Sequence, residues 1–294
     1  MSDSRNMSLG WMRDLPSIKD YQVDQPQIKP MLAKLKAAGS SSAAPTLPAN
    51  VDLRPWFSPV EDQGALGSCT AHAGVGLLEY YERRAYGKHI DASRLFLYKT
   101  TRNLLKWTGD TGAYLRSTME ALVLFGVPPE SYWPYDVSKF ELEPTPFLYA
   151  FGSNYQALKY YRLDPPGTST TSLLTQIKNN LAVGLPAFFG FTVYNSYTQA
   201  STTNQGAIPY PTRVDRVVGG HAVVAAGYDD TRVIRNSNPG AAPTTGALLI
   251  RNSWGNDWGD GGYGWLPYEY VLRGLAVDWW SLISAEWVDT GNFG

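Results

Sequence analysis

The chain has 294 residues, of which 44% are hydrophobic and 17% charged, with a formal net charge of −1. This length suits one large domain or two of ordinary size, and the mixed charges give no reason to expect a nucleic acid or an anionic membrane as partner. The single cysteine excludes an intramolecular disulfide, and with three histidines it falls short of the clusters that structural zinc needs.

The first 48 residues differ in composition from the rest. Met1–Leu15 lacks the apolar core of a secretory signal peptide, which leaves the compartment open, with the cytoplasm and non-classical export both compatible. Gly39–Pro48 is a linker rich in Ser, Ala and Pro. The preceding residues are predicted to pack on the main body, with a disordered tail as the alternative, because they carry apolar side chains that are costly to leave in water. These side chains are Trp11, Leu15, Ile18 and Tyr21.

The only cysteine follows a glycine-containing turn, in the stretch Gln63–Ala71. Ser68 is a favourable N-cap residue, so Cys69 is predicted to lie in the first turn of a helix that runs to about Tyr86. Unpaired N–H groups and the positive end of the helix dipole favour a thiolate there. The location therefore suits a nucleophile.

Helical patterns dominate the first half of the chain and strand patterns the second. Helices are predicted at Ser93–Lys106, Tyr114–Phe125 and Ser172–Val183. Helices followed by strands indicate an α+β protein with two lobes and a cleft between them. The predicted strands are Leu185–Val193, His221–Tyr228, Ala247–Trp254, Tyr263–Tyr268 and Trp279–Val288.

A thiol nucleophile needs a base, and the base needs a group that orients it. His72 lies on the same helix as Cys69, where the two side chains point roughly alike rather than toward each other. His89 follows a helix-ending glycine in a loop. His221 opens an apolar strand directly after two glycines, so it is the favoured base.

Three motifs in the same order resemble those of papain-like cysteine peptidases. They are the run from Gln63 to Cys69, the run Gly220–Val223, and Arg251–Gly259 with its Asn-Ser-Trp-Gly core. Residues 133–135, Trp-Pro-Tyr, are similar to a turn of that family. The resemblance implies an α+β papain-like fold, with a helical left lobe at about 60–165, an antiparallel β-barrel-like right lobe at about 166–290, and the cleft between them. Residues 49–294 would form the catalytic domain, and residues 1–48 a leader resembling a prosegment.

The resemblance implies a role for each motif residue. Cys69 would be the nucleophile and His221 its ion-pair partner and general acid. Asn252 would orient the imidazole, and the Gln63 amide would donate to the developing oxyanion. Gly112, Gly220, Ala222 and Trp254 would border the substrate, with Trp254 also shielding the imidazole from water.

The resulting hypothesis is a cysteine endopeptidase that acts on peptides or proteins through an acyl-thioester, without metal or cofactor and as a monomer. Residues 1–48 are a candidate inhibitor, although they are short for a prosegment, and the chain most resembles compact bacterial members of the family. Gly219 and Gly220 predict a roomy second specificity pocket. Two alternatives stay open: the same triad could serve deamidation, transamidation or acyl transfer, or the cleft could bind peptides without catalysis.

Overall fold

The computed structural model describes residues 7–17, 20–26, 28–30, 33 and 47–285. Helix α1 is Cys69–Tyr86, α2 is Arg94–Leu105, α3 is Leu115–Leu124, α4 is Pro146–Gly152, α5 is Thr170–Ala182 and α6 is Tyr268–Leu272. The strands are β1 (Asn50–Asp52), β2 (Ala157–Arg162), β3 (Ala187–Tyr194), β4 (Val217–Ile234), β5 (Thr244–Arg251), β6 (Tyr263–Pro267) and β7 (Ala276–Ala285). Among the described helices, none is long and apolar enough to cross a membrane.

The four helices predicted from the sequence form within a few residues of their expected ends. Helix α1 ends at Gly87, whose positive φ of 74° suits glycine and lets its N–H bond to the Arg83 carbonyl. The Ser93 hydroxyl caps α2 by accepting the Phe96 N–H. The sequence missed α4 and α6, because helices this short carry too little periodicity to detect.

The strands form one antiparallel sheet in the order β2-β7-β3-β4-β5-β6, and β1 pairs with β4. The expected barrel-like lobe was wrong in this respect. The sheet is open, because among the described strands β2 pairs only with β7 and β6 only with β5. The predicted strands of the second half form, although residues 286–288 of the predicted closing strand lie outside the described residues. Strands β1 and β2 were missed because each is short and lies beside a turn.

The long strand β4 lies between β3 and β5 in the sheet, and helix α1 packs against it. Phe191 of β3 lies opposite His221, and Arg251 at the end of β5 lies opposite Val224. Asn252 therefore leaves the sheet next to His221. Helix α1 packs against this strand pair closely enough that a Cβ on Gly76 would lie 2.6 Å from Nη1 of Arg251, which explains why a glycine occupies a helix interior.

Candidate active site

Cys69 is fully buried at the first position of α1, and the loop before it is held from two sides. Ser68 is the N-cap residue, but its hydroxyl makes no capping bond and instead lies 2.6 Å from the Tyr135 hydroxyl. The Asp110 carboxylate accepts the Gly67 N–H at 2.9 Å. The Trp-Pro-Tyr turn and Asp110 thus fix the direction in which the helix presents the thiol.

His221 is fully buried, and its Nε2 lies 2.7 Å from Oδ1 of Asn252. The N–H of Ser253 donates to the same Oδ1 at 2.8 Å. An N–H can only face the oxygen of the amide, so Oδ1 accepts from both neighbours and Nε2 of His221 carries the proton. The other ring nitrogen, Nδ1, has no hydrogen-bond partner among the described residues. It is therefore the free basic nitrogen.

Trp254 covers the imidazole. Its ring stacks on that of His221 with 4.6 Å between centroids and an interplanar angle of 19°. Trp258 packs edge-on against Trp254 at 5.2 Å, and both indoles are buried. The pair excludes water from the bond between His221 and Asn252, which strengthens that bond.

The side chain of Gln63 is oriented by a residue that the sequence did not single out. Ser253 donates its hydroxyl to Oε1 of Gln63 at 2.5 Å, and the Gln63 N–H donates to the Ser253 carbonyl at 2.9 Å. Nε2 of Gln63 donates to the Leu66 carbonyl at 2.9 Å and to the Ser8 carbonyl at 3.0 Å. The only sequence signal for Ser253 is its place directly after Asn252.

Residues 7–17, called the N-terminal segment below, hydrogen-bond to both lobes. The Gly10 carbonyl accepts the Ala113 N–H at 2.9 Å, and the Met12 N–H donates to the Ala113 carbonyl at 3.1 Å. On the other side, the Trp11 N–H donates to the Gly220 carbonyl at 3.1 Å. The segment thus lies between the loop that precedes α3 and strand β4.

Gly112 makes no hydrogen bond to this segment, but its lack of a side chain lets the backbone of the segment approach closely. Its N–H donates to the Tyr98 hydroxyl, and a Cβ at this position, where φ is +72°, would collide with the Gly10 carbonyl. The next residue, Ala113, makes the backbone hydrogen bonds to the segment, and the role of Gly112 in binding substrate stays a prediction. Leu15, expected to be buried, is 74% exposed, whereas Trp11 is 8% exposed. Ile18 lies outside the described residues.

Burial controls the charge of the thiol and of the imidazole. It raises the pKa of Cys69 to about 11, although the backbone N–H groups of Ala222 and Gly10 favour the thiolate. It lowers the pKa of His221 to about 4, although the bond to Asn252 favours the imidazolium. The expectation of a thiolate at the helix N-terminus is therefore wrong for this covered state, because desolvation outweighs the N–H donors.

The two other histidines lie outside this arrangement. Nδ1 of His72 lies 3.1 Å from the Ser68 carbonyl, and its ring packs edge-on against Tyr135 at 4.9 Å. His89 is half-exposed after α1, and burial lowers its pKa. Among the residues described, no group of three or more His, Cys, Asp or Glu side chains could hold a metal ion.

Comparison with known proteins agrees with this geometry. Residues 47–271 match the papain family of cysteine proteases. The chain belongs to this family. The peptidase C1-like protein L477 of Acanthamoeba polyphaga mimivirus is 33% identical over 223 residues, which cover 74% of this chain and 68% of that protein. Cathepsin K of Gallus gallus is 28% identical over 225 residues, covering 74% and 58%. The chain thus spans about two thirds of the length of the first relative and somewhat more than half of the second.

Solved structures extend the likeness to nearly the whole chain. Xylellain, a cysteine protease from Xylella fastidiosa, is 33% identical with a TM-score of 0.72, over 95% of this chain and 97% of that one. A digestive procathepsin L 3 of Tenebrio molitor is 21% identical with a TM-score of 0.59, over 82% and 71%, a likeness of fold alone. The family and the papain-like α+β fold predicted from the motifs are both confirmed.

Proposed function

We propose that this chain is a cysteine peptidase that cleaves peptide bonds through a Cys69 acyl-thioester, and that its N-terminal segment masks the catalytic groups. One observation carries the proposal. Asn252 fixes the Nε2–H of His221, and Nδ1 has no hydrogen-bond partner in the part of the chain that the structure describes, while the backbone N–H of the next residue, Ala222, interacts with the Cys69 sulfur. A basic nitrogen is thus held on the strand that contacts the thiol.

The chemistry then follows from the groups present. In the open cleft, Nδ1 of His221 takes the thiol proton and the Cys69 sulfur attacks the substrate carbonyl. Nε2 of Gln63 and the backbone N–H of Cys69 donate to the oxygen that becomes negative. His221 returns the proton to the leaving amine, which gives a thioester. Water, deprotonated by the same imidazole, attacks the thioester and releases the acid and the thiol.

The masking proposal rests on where the segment lies. The Ser8 carbonyl accepts the Gln63 amide that would serve the substrate, and the Gly10 N–H interacts with the Cys69 sulfur. A covered cleft also keeps the thiol and imidazole neutral, because both charged forms lose hydration. Departure of the segment would admit water and allow the ion pair to form.

The test compares the full-length protein with its Trp11→Ala variant. Loss of the buried indole weakens docking of the segment by about 2 kcal/mol, which corresponds to an increase of about thirtyfold in the uncovered fraction. We expect iodoacetamide labelling of Cys69 and peptide cleavage to accelerate accordingly. Leu15→Ala, in the same segment but exposed, is the matched control and should behave as the unmodified chain.

Two results would contradict the proposal. Equal rates of Cys69 labelling and peptide cleavage in the Trp11→Ala variant and the unmodified chain would contradict masking by the N-terminal segment. If Cys69 of the variant reacts with iodoacetamide but no peptide is cleaved, the proposed peptidase activity is contradicted. Mass spectrometry of products from a peptide library separates hydrolysis from transfer to another amine, and Cys69→Ser should abolish both labelling and cleavage.

A further inference from the structure

The indole of Trp11 fills a flat slot in the β lobe. Gly190 of β3 and Gly220 of β4 line it. A Cβ on Gly190 would collide with the indole, and one on Gly220 would lie 2.7 Å from its Cε3. These neighbouring strands leave room for an aromatic ring because both positions lack a side chain.

A buried carboxylate lies at the polar edge of this slot. Nε1 of Trp11 donates to Oδ2 of Asp278 at 3.3 Å, and Asp278 is fully buried. Its other oxygen, Oδ1, accepts from Nε1 of Trp280 at 2.8 Å and lies 3.2 Å from Nη1 of Arg162. Oδ1 thus contacts residues of the protein core, whereas Oδ2 accepts a hydrogen bond from the side chain that occupies the slot.

The direction of this carboxylate is fixed by its backbone. Asp278 has a positive φ of 63°, a conformation that is unusual for a residue with a side chain. The carboxylate of Asp164 holds it there by accepting the N–H groups of Asp278 and Trp279, at 2.7 and 3.0 Å. Oδ2 therefore presents an acceptor to whatever enters the slot, and a buried acceptor without a donor is costly.

We propose that this slot is a specificity pocket of the peptidase and selects tryptophan side chains of substrates, with Asp278 as the acceptor for the indole N–H. The inference rests on the proposed function, and it makes the segment's Trp11 a stand-in for the substrate side chain. A ring without N–H fills the slot but leaves Oδ2 unpaired.

The local charges favour a neutral N–H donor over a lysine or arginine side chain. The guanidinium of Arg162 already pairs with Asp278 and Asp164. Asp20, which lies 3.6 Å from Nη1 of Arg162, and Asp14, which pairs with Arg116, both precede the linker and would leave with the segment. Once the segment has left, Arg162 has lost Asp20 and Arg116 has lost Asp14. Both arginines would then repel a cationic substrate side chain.

The experiment measures kcat/KM in the full-length Trp11→Ala variant, whose slot is empty. Gly220, which lines the slot, is one of the two glycines that predict the second specificity pocket from the sequence. The peptides therefore differ only at the second residue before the cleaved bond, which is Trp, 1-methyl-Trp, Phe, Val or Arg. Methylation of the indole nitrogen removes the donor and keeps the ring. We expect the Trp peptide to exceed the 1-methyl-Trp peptide by about tenfold, the effect of one hydrogen bond to a charged group, and to exceed the Arg peptide.

Two second-site variants in the same background locate the effect. Asp278→Asn should reduce the ratio between the Trp and 1-methyl-Trp peptides to about threefold or less, because the charge that strengthens the bond is gone. Gly190→Ala should lower the ratios of kcat/KM for the Trp and Phe peptides to that for the Val peptide, because the added methyl group takes the space of a flat ring. Each readout is a ratio within one variant, so partial misfolding cannot mimic it.

A binding arm separates this proposal from the peptidase assignment. The Trp11→Ala, Cys69→Ser double variant is titrated calorimetrically with the same peptides. Tighter binding of the Trp peptide without cleavage by the Cys69 form would support the pocket and overturn the peptidase. Cleavage with equal kcat/KM for Trp and 1-methyl-Trp, or a preference for Arg, would overturn the pocket and leave the peptidase intact.

Discussion

The hydroxyl of Ser253 donates to Oε1 of Gln63 over 2.5 Å, and Nε2 of the same amide points at the Ser8 carbonyl. Ser253 thereby fixes which end of the amide faces the cleft. An amide free to rotate could present its oxygen to the substrate, where it would repel a developing oxyanion. The residue after Asn252 thus orients the proposed oxyanion donor as well as the histidine partner.

Ser253→Ala should therefore lower kcat by about tenfold with little change in KM, since the oxyanion forms only in the transition state. The measurement uses peptide cleavage in the Trp11→Ala background, and Ser253→Thr, which keeps the hydroxyl, is the control. Gln63→Ala should cost about a hundredfold. Because Ser253 acts through Gln63, the double variant should lose no more than Gln63→Ala alone, and additive losses would contradict this role.

A second prediction concerns Arg116, which pairs with Asp14 in the N-terminal segment and with Asp20 just after it. Nε and Nη2 of Arg116 donate to the two carboxylate oxygens of Asp20 at 2.7 and 2.9 Å, and Nη2 also donates to the Leu15 carbonyl at 2.7 Å. A planar, bidentate pair of this kind is stronger than an ordinary surface ion pair. Without the Arg116 guanidinium, the negative charge of the buried Asp20 carboxylate would be less well neutralised whenever the segment is docked, which destabilises the docked state.

Arg116→Gln in the full-length protein should therefore accelerate iodoacetamide labelling of Cys69 by about tenfold. Arg54→Gln is the matched control, because Arg54 pairs with Asp52 and Asp260, away from the segment. An unchanged labelling rate in Arg116→Gln, with acceleration in Trp11→Ala, would mean that the indole alone holds the segment.

Local patterns were sufficient for the family and for much of the fold. A glycine turn before Cys69, an apolar strand after Gly220 and the Asn-Ser-Trp run each depend on neighbours in the sequence, so they can be read without coordinates. Helix α1 began at Cys69 and ended at Tyr86 as predicted, because Gly87 gives an unambiguous stop.

Other features depend on residues that are distant in the chain. Asp278 looks like any surface aspartate in the sequence, and its burial beside Trp11 arises only when β7 joins β3. The pKa of the thiol was predicted in the wrong direction, because a helix terminus is a local feature of the sequence whereas the complete burial of Cys69 is a property of the folded chain. The pairing of the N-terminal segment with Ala113 likewise follows from a register that motifs do not encode.

The raised thiol pKa gives a third prediction. Since burial favours the neutral thiol and raises the pKa of Cys69 to about 11, labelling of the unmodified chain should be slow at neutral pH and should increase with pH toward that value. In Trp11→Ala the cleft is hydrated, so the thiolate should form at lower pH and the rate profile should shift to the acid side. Intact-mass measurement of alkylation across a pH series checks this, and superimposable profiles would contradict it.

The last prediction concerns Glu82, a buried carboxyl of α1. One oxygen accepts the Ile90 N–H at 3.0 Å, and the other, Oε1, has no hydrogen-bond partner among the described residues. Burial raises the pKa of Glu82 from 4.5 to about 8, although the Ile90 N–H opposes the shift. The folded state therefore binds a proton more tightly than the unfolded state, and this contribution to stability is fully present below pH 4.5 and is lost as the pH rises through about 8.

Glu82→Gln, which is neutral at every pH and keeps an acceptor for Ile90, should thus resemble the unmodified chain near pH 4.5. At about pH 9 it should be more stable by about 2 kcal/mol, after allowance for its own buried amide donor. Urea unfolding at the two pH values measures the difference. Glu143→Gln, which neutralises a carboxyl that is 59% exposed, is the control. A stabilisation of equal size at both pH values would mean that packing rather than buried charge is responsible.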